Sequence, residues 1–367
     1  MNVNLKKTIL FIVPLPPPVH GSSIVSQIIK DSNKINDDFT CTFINLSTSR
    51  KINEIGKGSF IKIFRVIGAL LKLLLALIKV RPEISYIAIT CHGKGFLKDS
   101  LYVLLCKLFC TKIVLHQHNK GMSLYIDKPI YRWLLPLVYK NTHVILLSWK
   151  LYPDVEGVVK KEQVQICPNG IRKSNCGHIS KSQLHIIPRI LFLSNLLVSK
   201  GVLVLLDACA LLKRADIQFE LRLVGGETNE INALQLKIEI EKRGLVDRVI
   251  YMGAKYGQDK INEFTSSDIF VLPTLDDCFP LTILEAMQYK KPVVSTDIGA
   301  IGEIIEDGKT GMICKANDSI DLFNKLSILL QDKKMRKEYG DAGYNRYLSL
   351  YTIDRFEDRL ISILNKI

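Results

Sequence analysis

Short apolar runs rich in β-branched residues alternate along this chain with longer stretches whose apolar positions recur at helical spacing. Such alternation predicts parallel strands covered by helices. In the first half, Thr8–Val13, Phe39–Asn45, Ile84–Thr90, Ile113–His116 and His143–Leu147 read as strands, and Ser22–Ser32 as the first helix. The pattern then lapses. Turn residues cluster at Cys167-Pro168-Asn169-Gly170, and Arg172–His185 is polar, Ser-rich and aperiodic, as a linker is. The cycle restarts with strands at Arg189–Leu193, Phe219–Val224, Val249–Met252, Ile269–Leu272 and Pro292–Ser295. Helices are expected at Gly201–Lys213, Glu230–Arg243, Gln258–Ser267, Leu281–Tyr289 and Ile320–Leu330.

The expected architecture is therefore α/β: two tandem Rossmann-like, doubly wound parallel-sheet domains with a cleft between them. Residues 1–172 form the first, 173–188 the linker and 189–345 the second. A terminal helix over 346–367 is expected to pack back on the first domain. A chain of 367 residues has room for two cores. With 47% hydrophobic and 23% charged residues it is a folding sequence and not a disordered one. In such sheets, ligands bind in the loops that follow the carboxyl ends of the strands.

One apolar string stands out. Val66 to Ile78 is 13 residues long with Lys72 inside it, short of the roughly 20 that span a bilayer. Lys62, Arg65, Lys72 and Lys79 recur along it. Two readings fit: a buried helix with solvated lysines, or a helix lying on a membrane surface. Charge bears on the choice. Residues 1–180 carry 25 Lys and Arg against 10 Asp and Glu, whereas the remainder carries 25 against 26. All of the net +14 thus resides in the first half, which suggests an anionic partner surface. Nucleic acid fits less well, because no aromatic stacking motif or reading helix accompanies the charge.

The nine cysteines include no C-x-x-C pair, so neither a zinc site nor a disulfide scaffold is signalled. Most sit in apolar strings and read as buried hydrophobes of a reducing compartment. The opening residues do not read as a signal peptide: Thr8–Val13 is too short and runs into prolines.

The segment richest in chemistry runs from Leu272 to Gln288. A strand ends, an acidic loop follows, and Pro280 opens a helix whose first amides, at Leu281 and Thr282, suit a phosphate. Asp277 precedes that helix and Glu285 lies one turn inside it, so one carboxylate can reach a sugar and the other a ribose. The plainer reading is a helix-capping Asp and a surface Glu.

Asp277, seven residues, Glu285, then Ala286-Met287 resembles the acidic signature of the family-4 retaining glycosyltransferases. Phe192–Gly201 ending in Lys200-Gly201, Leu223-Val-Gly-Gly226, Val249–Gly253, Asp268–Thr274 and Lys291–Thr296 follow in that family's order. The resemblance implies a GT-B fold, with a nucleotide diphosphate sugar held mostly by the second domain. It also implies that Glu285 binds the ribose, Asp277 the donor sugar and Lys200 the diphosphate. Phe279, Pro280, Leu281 and Thr282 would line the donor site. Two departures occur: Asn195 stands where the family keeps an Arg, and Asp277 is one methylene shorter than the usual Glu. In the first domain, Gly21 would approach the diphosphate through its helix start, and His118 would contact the donor sugar or position the acceptor hydroxyl. His20, His92 and His116 are acceptor-site candidates; a structural role is the alternative for His20 and His118, and a metal pair of His116 with His118 lacks an evident third ligand. Asn169-Gly170 matches the family's hinge turn.

Together these readings imply a retaining, metal-independent transferase with no cofactor. It would move a sugar to a lipid-linked saccharide in surface-polysaccharide assembly, from the cytoplasmic face of the plasma membrane. The alternatives are a nucleotide-sugar epimerase and a catalytically silent sugar-nucleotide-binding paralogue.

Overall fold

The computed structural model describes residues 6–17, 21–47, 60–174 and 187–367. His20, Cys176 and most of the expected linker fall outside them. The chain divides into two compact units.

The first unit is built on a six-stranded, wholly parallel sheet of order β2-β1-β3-β4-β5-β6. Its elements are β1 (Thr8–Val13), α1 (Gly21–Asp31), α2 (Asn33–Asp38), β2 (Thr40–Asn45), α3 (Phe60–Val80), β3 (Ile84–Ile89), α4 (Gly93–Leu108), β4 (Lys112–Gln117), α5 (Pro129–Tyr139), β5 (His143–Leu146) and β6 (Val164–Ile166). All six residues of the central strand β3 are buried, as a parallel strand covered on both faces requires. Alternate side chains serve alternate layers. Leu10, Ile12, Ile87 and Leu115 pack under α3, α4 and α5. Ile9, Phe11, Tyr86 and Val114 face the other way, toward α1.

The second unit repeats the plan with sheet order β12-β11-β10-β7-β8-β9. Its elements are β7 (Arg189–Leu193), α6 (Val202–Arg214), β8 (Glu220–Val224), α7 (Ala233–Lys242), β9 (Val249–Tyr251), α8 (Gly257–Ser266), β10 (Ile269–Leu272), α9 (Leu281–Gln288), β11 (Val293–Thr296), α10 (Ile301–Ile304), β12 (Gly311–Cys314), α11 (Ser319–Gln331) and α12 (Lys333–Leu350). All of its strand pairs are parallel.

The expected terminal helix over 346–367 is corrected. The chain breaks after Leu350, Thr352 bridges to Ile171, and a new helix α13 (Ile353–Lys366) begins. That helix belongs to the first unit and sinks Phe356, Leu360 and Leu364 into the α1 layer. Of the cysteines, the eight described ones are unbridged. Burial pushes Cys106, Cys167 and Cys314 up to about 12, so they behave as small apolar side chains.

Candidate functional site

In the second unit, loops at the carboxyl ends of β7 and β10 are tied together. The Ser199 carbonyl accepts from the backbone amide of Leu275 at 2.7 Å and of Asp276 at 3.2 Å, and from Thr274 Oγ1 at 3.1 Å. Gly201 lies in the left-handed region, φ 77°, and a Cβ there would stand 1.9 Å from the Pro273 carbonyl oxygen. Only glycine allows so close an approach. The turn Val198–Lys200 immediately before it delivers Lys200 to the β10 loop.

Lys200 Nζ meets Asp277 Oδ2 at 2.6 Å and the Asp276 carbonyl at 2.9 Å. Two of the three ammonium donors are thereby aimed at the acidic loop. Asp277 Oδ1 accepts from the amide of Cys278 at 2.9 Å, which fixes the carboxylate's rotation. Both side chains are about four-fifths buried, at 20% and 17% exposure, so this ion pair is shielded far more than a surface pair. A third loop props it. After β11, Gly299 (φ 60°) comes so close that a Cβ would lie 2.4 Å from the Asp277 carbonyl, and Ala300 N donates to Cys278 O at 2.9 Å. Sequence reasoning missed Gly299, whose signal was a glycine three residues past the end of a strand.

Helix α9 starts directly beyond this pair. Pro280 is its N-cap and not its first helical residue, and no side chain caps the end. The N-terminal amides, Leu281 and Thr282 among them, therefore carry the positive end of the helix dipole. Phe279 is buried edge-on against Tyr351, at 6.1 Å between ring centres. Glu285 Oε1 accepts from Lys260 Nζ at 2.7 Å, and Glu285 Oε2 is buried with no hydrogen-bond partner. Lys260, on α8, is a second residue that motif reading did not single out. Asn195 is exposed, and its Oδ1 accepts from Gly226 N at 3.3 Å, tying the β7 loop to the β8 loop. Its side chain thus does loop-building where a phosphate cation was missing.

In the first unit the strand ends gather histidines. His118 follows β4, and its ring centre lies 4.1 Å from that of His116. His116 is wholly buried, and Tyr86 Oη hydrogen-bonds its Nδ1. Its ring packs against that of His118, the more exposed of the two. His92 occupies the N-cap position of α4 without a side-chain capping bond, stacks on Tyr125 at 5.2 Å, and faces Gly121. The Asp154 carboxylate accepts from the amides of Gly121, Met122 and Ser123, which orders the loop after His118. Gly21 opens α1, and a Cβ there would meet nothing within 4 Å. Protein packing does not demand glycine at that position. Gly170 is the last residue of the first unit before the chain crosses into the second.

Burial, and then the neighbouring His118, hold His116 well below its usual range, so the folded protein keeps it neutral. Below about pH 6.5 the unfolded chain takes up a proton there that the folded one refuses. Stability is expected to fall with acid from that point, by up to about 1.4 kcal/mol per pH unit from this one group. Denaturant titrations at pH 7.5 and 5.5 measure it. The His116→Gln variant should lose one proton's worth of slope, and an unchanged slope would contradict the assignment.

Among the described residues, no group of three or more His, Cys, Asp or Glu is placed to hold a metal ion. Chemically, the second unit offers a shielded cation, a fixed carboxylate and an uncapped helix start at the ends of three strands. That combination suits a phosphorylated ligand carrying hydroxyls.

Residues 186–346 match the family described as "Glycosyl transferases group 1". An uncharacterized glycosyltransferase of Methanocaldococcus jannaschii is 30% identical over 155 residues, 42% of this chain and 41% of that one. An uncharacterized 41.2 kDa protein in the cps region of Klebsiella pneumoniae is 23% identical over 364 residues, 90% of this chain and 96% of that one. The chain spans about two fifths of the length of the first curated relatives it matches. Among solved structures, the Anabaena protein HepE in complex with UDP superposes with a TM-score of 0.78 at 16% identity, over 98% of this chain and all of that one.

Proposed function

From a chain with the GT-B fold whose residues 186–346 belong to the glycosyl transferases group 1, we propose a sugar transfer from a nucleotide diphosphate donor to a hydroxyl of a lipid-linked saccharide. The observation that carries this reading is the shielded Lys200–Asp277 pair beside the uncapped start of α9. The donor diphosphate lies on the α9 amides and Lys200. Glu285 takes the ribose and Asp277 a sugar hydroxyl, with Phe279, Pro280, Leu281 and Thr282 around them. As the glycosidic bond breaks, negative charge grows on the leaving phosphate. A fixed ammonium stabilises that charge at no cost of reorganisation.

Transfer proceeds with retention and without metal. The leaving phosphate accepts the proton of the incoming hydroxyl, because no carboxylate is assigned as a nucleophile. Of the first unit's residues, His118, with the His116 ring against it, is assigned to the reacting sugar or the acceptor hydroxyl, and His92 and His20 to the acceptor. The excess of basic residues in the first half suits a substrate presented at an anionic membrane surface, on its cytoplasmic face. The Klebsiella relative's place in a cps region supports surface-polysaccharide assembly as the setting. An epimerase is not favoured, since residues 186–346 match the glycosyl transferases group 1 and the Methanocaldococcus relative is described as a glycosyltransferase.

Thermal stabilisation by UDP, GDP, ADP, dTDP and CMP without added metal tests the donor half. A nucleotide at 100 times its dissociation constant stabilises by about 2.7 kcal/mol. UDP is the first to try, given the Anabaena complex. One stabilising diphosphate supports the reading. No shift with any of them favours a silent paralogue.

A further inference from the structure

We propose that the outer face of α3, α4 and α5 is a docking surface for an anionic lipid bilayer, with Trp133 seated in the headgroup boundary. Each of these helices buries one side in the core of the first unit and leaves another open. On α3, Leu73 and Leu77 are buried, while Phe64, Ile67, Leu71, Leu75 and Ile78 are exposed. Those five recur every three or four residues, which makes one stripe along the helix. Phe64 is 74% exposed and Leu75 66%. On α5, Ile130, Trp133 and Leu137 repeat the spacing, with Trp133 67% exposed. Helix α4 packs between the two and adds Leu101 and Leu108. A soluble surface scatters such side chains singly, so three adjacent helices presenting them together mark an interface.

The charge chooses the partner. The three helices carry eight Lys and Arg and a single acidic residue, Asp99, which is buried. A protein partner or a second copy would have to bring matching acid, and this face supplies none to itself. An anionic bilayer offers both halves: headgroup charge for the lysines and an acyl boundary for the stripes. Tryptophan favours that boundary, its ring being apolar with one donor. No helix among the described residues is long and apolar enough to cross, so the contact is one of lying on the surface. The sequence pointed only to α3; the structure adds α4 and α5 beside it.

This deepens the reading of a lipid-linked acceptor, yet it is measured without any transfer reaction. The chain has two tryptophans, Trp133 and Trp149, and Trp149→Phe leaves Trp133 as the sole reporter. The full chain is mixed with vesicles of phosphatidylcholine alone or with one quarter phosphatidylglycerol, at 0.1 M and 0.5 M NaCl. The expected result is binding to the anionic vesicles that weakens with salt, roughly fivefold per basic residue engaged at low salt. Trp133 fluorescence should shift to the blue and be quenched by brominated acyl chains. The double variant Leu71→Asp/Leu75→Asp should bind at least tenfold less well, with unchanged thermal stability and nucleotide response. Ile320→Asp, on an exposed site of the second unit, should bind as the parent does. The proposal fails if the parent ignores anionic vesicles, or binds without quenching of Trp133. It also fails if the double variant binds normally, or if light scattering shows that these substitutions only split a dimer. A chain that docks but transfers nothing would keep this surface and lose the proposed reaction; the reverse outcome would do the opposite.

Discussion

Replacing Lys200 by alanine is expected to cut sugar transfer by about a hundredfold or more, with much less effect on the stability of the fold. The estimate follows from removing one fixed donor aimed at developing charge, which costs roughly 2.7–4 kcal/mol in comparable sites. The structure adds a reason why the loss should be steep. Lys200 also neutralises Asp277, so its removal leaves a shielded carboxylate beside an arriving diphosphate. The two residues therefore act as a unit, and Lys200→Ala/Asp277→Ala should be little worse than either single change. Initial rates with a saturating donor would measure this. Multiplicative losses would mean that the pair is incidental to the reaction, and near-parental rates in Lys200→Ala would remove it from the site altogether. Glu285→Ala is expected to lose at least about tenfold, chiefly through donor affinity, because its role is played far from the breaking bond.

The second large effect is structural. Gly201→Val should destabilise the second unit by about 3 kcal/mol or more, since it combines a left-handed backbone with a clash against a neighbouring carbonyl. At roughly 2–4 °C per kcal/mol for a unit of this size, its melting transition should fall by about 6–12 °C. Gly299→Ala should act similarly, because its Cβ would press on the Asp277 carbonyl. In both variants donor binding should weaken along with stability, as the loop carrying Asp277 is pushed away from the Lys200 turn in Gly201→Val and from the loop after β11 in Gly299→Ala. Calorimetry with and without nucleotide checks both statements. A Gly201→Val protein that melts like its parent would show that the two loops can part freely, and the fixed pair could not then be preorganised.

The sequence made the strands legible because parallel strands buried on both faces must be nearly continuous apolar runs. Thr8–Val13, Arg189–Leu193 and Ile269–Leu272 could therefore be read to the residue. What escaped were β6 and β12, edge strands of three and four residues. One is interrupted by Gln165 and the other opens on Gly311, so neither shows an apolar run. The break at Tyr351–Thr352 escaped because helical spacing continues across it, and only the bridge from Thr352 to Ile171 reveals the turn. In the site, motif residues were findable because their spacing is fixed by a strand–loop–helix path. Lys260 and Gly299 were not, since each reaches the site from another strand's loop or helix. For His116 and His118, alternation gives the side of a strand and not the depth: both lie on one side, but His116 is fully buried and His118 only partly.

The position of α13 orders events during synthesis. The second unit is one continuous stretch, Ile171–Thr352, whereas the first needs residues 353–367 to close the layer over Ile9, Phe11 and Ile29. On the ribosome the half translated first must therefore wait, with one apolar face of its sheet covered only by α1 and α2, until residues 353–367 emerge. The half translated second can finish before it. A premature stop at the close of the second unit would spare that unit and expose the core of the first, so such a fragment should occupy chaperones and aggregate through its amino-terminal half.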